Sequence, residues 1–519
     1  MMRMAWLVLA CTALVAPPCY GAQQYRLGKL SITGNRRTDD LTVRRMIPLN
    51  EGDIFNLVRW EQGLEQISRS GLFEPVTSAD VTLTFDEANG VVNAELRLKE
   101  RDHQRIDVSA GGGTTGGFAA GIDYANINLT GGGDRLSARL RAGSRERSAG
   151  AQYSTALLLK NPVRIDLAGF YNRLEFVDAR AAPEEREPLF VERTAGASFG
   201  ISFPFTAARS ALGAATQASL AYSFTSTNLL DAPVRSSVNI GEIDQERIRV
   251  ASITPSIIHD TLDRDFDPRE GSRLVVATEL GARLLGGSLN AAMPSIDFRW
   301  FHRLDRERRE PRVVGLRLRA THIAAFGERL SAQALAAVDG VPIFRRFFLG
   351  GETEVRGYDV NSIAPLARVD RFLAPPGETP ILLSSEVRPV GGDSRIIVNA
   401  EYRAPLIWQF SGAVFFDLGA SLNARGLKEE RFESTTMVEP FPEPLPLITV
   451  LRPLDAGEDR FPNYRVSLGG ELRFQIPFFN LPARLILSFN PNAQRNLPES
   501  LLLAPERRVA FRFGVGRTL

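Results

Sequence analysis

The sequence predicts a mainly β fold: a 16-stranded antiparallel transmembrane β-barrel preceded by one small α+β unit of order β-α-α-β-β. Three observations carry that expectation. From His103 to the C-terminus the chain alternates apolar and polar residues with period two. The connections between the alternating segments are short at one end and long at the other. Behind an apolar leader, helical spacing of apolar residues is confined to residues 25–101.

Composition excludes other classes. The 519 residues are 24% charged and 44% hydrophobic. A mean hydropathy of −0.10 leaves no room for a polytopic helical membrane protein, because each spanning helix needs about 20 nearly uncharged apolar residues. With 62 Lys+Arg against 60 Asp+Glu there is no basic excess, so nucleic acid is not an expected partner.

The N-terminal elements follow in order. Arg3, the apolar run Met4–Ala16 and the small residues near Gly21 and Ala22 read as an export signal over residues 1–22. Cys11 and Cys19 both fall inside it, so the exported chain would carry no thiol. Residues 23–102 form the small unit. Tyr25 to Thr33 alternates as a strand, and Thr38 or Asp39 can cap a short helix to about Ile47. Leu57, Trp60, Leu64 and Ile67 mark the apolar face of a second helix that Gly71 stops. Two alternating strands follow across a turn at Asn89-Gly90.

Residues 103–519 supply about sixteen segments, most near the 9–11 residues of a tilted membrane strand. The long connections, around 177–192, 227–245, 326–394 and 422–462, all fall in odd places counted from the first strand. Long loops on one rim and short turns on the other are what an up-and-down outer-membrane barrel has, with both termini in the periplasm. The segment 326–394 is expected as a long inserted loop.

The mature chain resembles the BamA/TamA-like outer-membrane assembly superfamily, the bacterial surface antigen-type barrel with a POTRA domain. The β-α-α-β-β unit resembles a POTRA domain through Ile32-Thr33-Gly34-Asn35 and Ser70-Gly71-Leu72-Phe73-Glu74-Pro75-Val76. Phe347 to Tyr358, with Gly350, Gly351, Val355, Arg356, Gly357 and Tyr358, resembles the Val-Arg-Gly-Phe/Tyr hairpin that folds back into the family's barrels. Asp260, Asp263, Pro268 and Gly271 resemble its turn before the ninth strand, Phe415 to Gly419 its thirteenth strand, and Phe511, Phe513, Val515 and Gly516 its last strand. Alternation puts Glu401 and Asp417 on inward faces, and an arginine inside a barrel needs carboxylate partners. The resemblance implies that these two residues hold Arg356.

The resemblance further implies a non-enzymatic factor of the bacterial outer membrane, its POTRA-like unit periplasmic, that assembles, inserts or translocates other proteins. Expected partners are outer-membrane lipids, unfolded outer-membrane or exported clients, and possible periplasmic accessory proteins. No cofactor or metal is expected. The alternatives are an outer-membrane channel plugged by the hairpin and a lipid-delivery barrel. Gly196-Ala197-Ser198-Phe199-Gly200 fits a nucleophile elbow, but it lies within an alternating strand with no helix after it. The four histidines, His103, His259, His302 and His322, are too scattered for a metal cluster.

Overall fold

The computed structural model describes residues 25–113, 117–157, 163–177, 188–205, 215–230, 247–264, 267–305, 307–308, 310–327, 337–407, 410–436, 445–454, 463–475, 482–495 and 504–515. The leader 1–22 and Gly516 lie outside the described residues.

The N-terminal unit contains β1 (Arg26–Thr33), α1 (Asp40–Met46), α2 (Leu57–Arg69), β2 (Val81–Asp86) and β3 (Val91–Arg97). Its sheet order is β1-β3-β2, with β1 parallel to β3. One face of each helix, Val43 and Met46 on α1 and Trp60 and Ile67 on α2, packs on Leu27, Leu30, Ala94 and Leu96 in a single core. The Asn56 side chain caps α2 by accepting from the Arg59 amide at 3.1 Å. Asp39 takes the N-cap position of α1 without a side-chain cap bond.

The barrel begins with β4 (Gln104–Gly113), β5 (Gly117–Asn126), β6 (Arg135–Gly143), β7 (Glu146–Leu157), β8 (Val163–Val177), β9 (Pro188–Pro204) and β10 (Thr216–Leu230). It continues through β11 (Ile248–Asp260), β12 (Gly271–Gly281), β13 (Ala291–Arg303), β14 (Val313–His322) and the short β15 (Ala324–Ala325). After β16 (Ala337–Val338), β17 (Val341–Pro342), β18 (Leu366–Leu373) and β19 (Ile381–Pro389), the wall resumes with β20 (Ser394–Pro405) and β21 (Phe410–Leu422). Following β22 (Glu430–Thr436) and β23 (Leu445–Pro453), it ends with β24 (Tyr464–Gln475), β25 (Pro482–Phe489) and β26 (Val509–Val515).

The antiparallel wall closes, β26 pairing back onto β4. β14 and β15 both pair with β13 and are interrupted by Ile323 alone, so together they count as one strand and the barrel has sixteen. Closure satisfies the backbone in lipid without an open edge. Along each strand one face exposes apolar groups such as Leu140, Tyr171, Phe199 and Leu487. The other buries polar ones such as Asn399, Glu401, Asp417 and Arg484.

The inserted segment 326–394 is not a plain loop. Its strands β18 and β19 join β23 and β22, from the 422–462 connection, in a sheet of order β19-β18-β23-β22 outside the barrel wall. Val338, Ala367, Val390, Phe432 and Leu451 form its core. These four strands went unrecognised in the sequence because each lies in a connection already accounted for as a loop.

Candidate functional site

The site forms where the Leu349–Tyr358 hairpin folds into the lumen against β20, β21, β24 and β25. Three glycines let it turn there: Gly350 (φ +122), Gly351 (φ +89) and Gly357 (φ +91) adopt backbone conformations that side chains disfavour. At Gly357 an added Cβ would also run into the Ser488 hydroxyl on β25. The Gly351 amide donates to the Tyr358 carbonyl at 3.0 Å, closing the hairpin. Leu349, Val355, Tyr358 and Ile363 pack with Ile397 of β20 in a buried cluster.

Arg356, directly after the Gly351–Val355 bridge that closes the turn, is fully buried. Its Nε and Nη2 donate to the two Asp417 carboxylate oxygens, both at 2.7 Å, in a bidentate pair. Its backbone amide donates to Asp417 Oδ2 at 3.0 Å. Nη1 donates to Glu401 Oε2 at 2.9 Å and to Glu471 Oε2 at 3.1 Å. The Phe415 ring lies 3.7 Å from the guanidinium carbon. Three carboxylates around one arginine would repel each other were they not shared. Arg473 donates to Glu401 at 2.6 Å and to Glu471 at 2.6 Å, and Asn399 donates to Asp417 at 2.8 Å. The result is an alternating lattice of buried charge in which each carboxylate has more than one donor.

The structure thus brings Gly350, Gly351, Val355, Arg356, Gly357, Tyr358, Glu401 and Asp417 together. Sequence reasoning missed Glu471, Arg473 and Asn490, although the signal was present: Glu471 and Arg473 alternate on the inward face of β24 opposite Leu472. Asn490 donates to the Gly357 carbonyl at 3.1 Å, and the Tyr358 hydroxyl donates to the Val466 carbonyl at 3.1 Å.

The turn before the ninth barrel strand is a separate construction. Asp263 accepts from the Arg269 and Glu270 amides at 2.9 and 3.2 Å. Asp260 accepts from the Leu262 amide at 3.1 Å, Pro268 is buried, and Gly271 has φ +103. The turn reaches the hairpin indirectly through a residue the motif had not singled out. Asp267 accepts from Arg403 at 2.8 Å, and Arg403 lies 3.2 Å from Glu401. In the last strand Phe511 and Phe513 are exposed on the lipid side. Arg512 points inward and pairs with Asp359 just beyond the hairpin, and Val515 pairs with Gly112.

Residues 128–519 match the Omp85 superfamily domain. The chain belongs to the Omp85 superfamily. Residues 25–101 match a POTRA model described as a surface antigen variable number repeat. The Omp85 chain is 22% identical over 412 residues to the outer membrane protein assembly factor BamA of Nitratidesulfovibrio vulgaris, covering 78% of this chain and 44% of that protein. It is 22% identical over 415 residues to the protein of the same name from Neorickettsia risticii, covering 79% and 49%. It therefore spans about half the length of the curated relatives it matches. Among solved structures it is similar to BamA from Haemophilus ducreyi lacking POTRA domains 1–3, with TM-score 0.58, 17% identity, and 94% and 84% of the two chains covered. It is also similar to CdiB from Acinetobacter baumannii, with TM-score 0.54, 16% identity, and 95% and 74% covered. At these identities the structural likeness shows the fold alone.

Proposed function

We propose that this Omp85 barrel is a non-enzymatic outer-membrane factor that assembles or translocates other proteins, residues 23–102 facing the periplasm and residues 103–519 forming the barrel. The observation that carries the reading is the glycine-lined junction at which the barrel closes. There β26 meets β4 at Gly514↔Gly113 and Val515↔Gly112, three of the four residues being glycine. Glycine weakens a strand and supplies no side chain to pack. A barrel with one weak junction can open there and offer free strand edges to a client. The hairpin is connected to this junction, since Asp359 beside it pairs with Arg512 of β26. In the small unit β2 lies at the sheet edge with Phe85 exposed, a suitable template for strand addition by an extended client.

Depleting the protein and quantifying the outer-membrane proteome tests the proposal. Selective loss of barrel proteins or surface-exported clients is expected; unchanged levels of all of them would overturn it. A plugged channel predicts instead that Arg356→Ala opens a large steady conductance in planar bilayers while client levels hold.

A further inference from the structure

We propose that the outer wall of β7–β11 carries a binding site for the phosphate groups of a phosphorylated lipid in the outer leaflet. Arg147 of β7 pairs directly with Arg173 of β8, and Arg173 with Arg193 of β9. All three face outward. Thr194, next to Arg193, is buried on the lumen side, where its hydroxyl lies 2.8 Å from that of Thr227. Tyr171, two residues from Arg173 on the same face, is 44% exposed. Arg249 extends the patch on β11: its neighbours Ile248 and Val250 are buried in the lumen cluster, so it too points outward and is exposed.

The row lies at the level of lipid headgroups. The connections beside it are odd-numbered, on the long-loop rim. On β9 the outward face runs from Arg193 to Phe203, ten residue steps. At about 3.3 Å per residue and a tilt near 40°, that is about 25 Å, the height of a barrel's apolar band. Below the cations lie Tyr171 and Phe199, groups suited to acyl chains. Beside them Tyr222 donates to the Leu285 carbonyl at 3.1 Å, drawing a turn over the outer wall with Leu284 97% exposed at its tip.

Like charges set directly opposite each other on neighbouring strands repel. Glu175 pairs with Arg173 at 2.6 Å, which leaves exposed guanidinium groups at Arg147 and Arg193 flanking it. Arginine forks match phosphate oxygens bidentately, so a phosphate held between strands relieves the repulsion while its acyl chains pack along the apolar face.

The full-length protein, released from nanodiscs doped with bis-phosphorylated lipid A or with the same lipid after phosphatase treatment, is tested for retained lipid by native mass spectrometry. Wild type is expected to retain the phosphorylated form selectively. Arg147→Gln/Arg173→Gln/Arg193→Gln is expected to retain it roughly a hundredfold less, about fivefold per arginine, while the corresponding triple Lys variant keeps most of it. Heat modifiability in gels verifies that the variants are folded; if the triple Gln variant is not, Arg193→Gln alone is expected to lose about fivefold. Equal retention by wild type and a folded Gln variant, or equal retention of the dephosphorylated lipid, overturns the proposal. So does complete displacement by inorganic phosphate, which would identify a site for the free anion.

Discussion

Arg356 is held by Asp417, Glu401 and Glu471 with no water-exposed surface on any of the four side chains. Removing one member of such a set leaves the others as buried charges without full compensation, which costs about 3–5 kcal/mol. Arg356→Ala, Glu401→Ala and Asp417→Ala are each expected to lower the temperature at which the barrel unfolds in detergent, read as loss of heat modifiability. Wild-type behaviour in all three would show that the lattice is dispensable. Glu471→Ala should match them, since Glu471 bridges Arg356 and Arg473. Gly357→Ala tests the hairpin backbone separately from its charges. Its φ of +91 and the adjacent Ser488 disfavour any Cβ, so release of the hairpin is expected with every charge still present. Proteolysis of the hairpin in Gly357→Ala, but not in wild type, is the confirming measurement.

Among the elements, the turn between β5 and β6 fixes the small unit to the barrel. Asn128 donates to the Thr38 hydroxyl at 2.9 Å, and the Asp39 amide donates to the Gly131 carbonyl at 3.1 Å. Gly131 has φ +94 and a Cβ there would sit 2.9 Å from the Arg37 carbonyl, so Gly131→Val should undock the two parts. Spin labels at Arg59 and Arg264 would then report a broadened distance distribution; an unchanged one would show that the contact does not position the unit. Glu100 braces the docked segment, accepting from the Thr38 amide at 2.8 Å and the Arg37 amide at 3.1 Å. Burial pushes its carboxyl pKa up, but the Thr38 and Arg37 hydrogen bonds together hold it below the usual glutamate value. A depressed carboxylate stabilises the fold above its unfolded pKa, and the contribution is lost as pH falls through the lower folded value. Glu100→Gln should therefore reduce the acid sensitivity of the small unit, measured by Trp60 emission in urea with Trp300 and Trp408 changed to Phe. This docking was invisible in the sequence, because Gly131-Gly132-Gly133 reads only as a turn. The wall strands were legible, since lipid on one side and a polar lumen on the other impose period two along each strand. β18, β19, β22 and β23 were not, because strands that do not belong to the barrel wall carry no such requirement.

For the whole molecule the decisive quantity is the free energy of opening β26 from β4 relative to any other strand pair. Among the described residues the junction pairs Gly113 with Gly514 and Gly112 with Val515, three glycines that bring no side chain to it, though Phe118 and Phe513 approach across it at 6.0 Å. Paired Cα atoms in an antiparallel ladder are about 4.5–5.5 Å apart, within the range a disulfide spans. Gly113→Cys/Gly514→Cys should therefore cross-link under oxidation without distorting the wall, and the leader that carries Cys11 and Cys19 is expected to be removed before the barrel forms. If opening at this junction is the working step, the oxidised variant loses client assembly while keeping wild-type heat modifiability, and reductant restores both opening and assembly. A control pair across a long ladder, Leu140→Cys/Ala149→Cys between β6 and β7, should be silent in either redox state. Full activity of the oxidised Gly113→Cys/Gly514→Cys protein would mean that clients pass by a route the junction does not govern, and would leave the lumen, occupied by the hairpin, as the path that must clear.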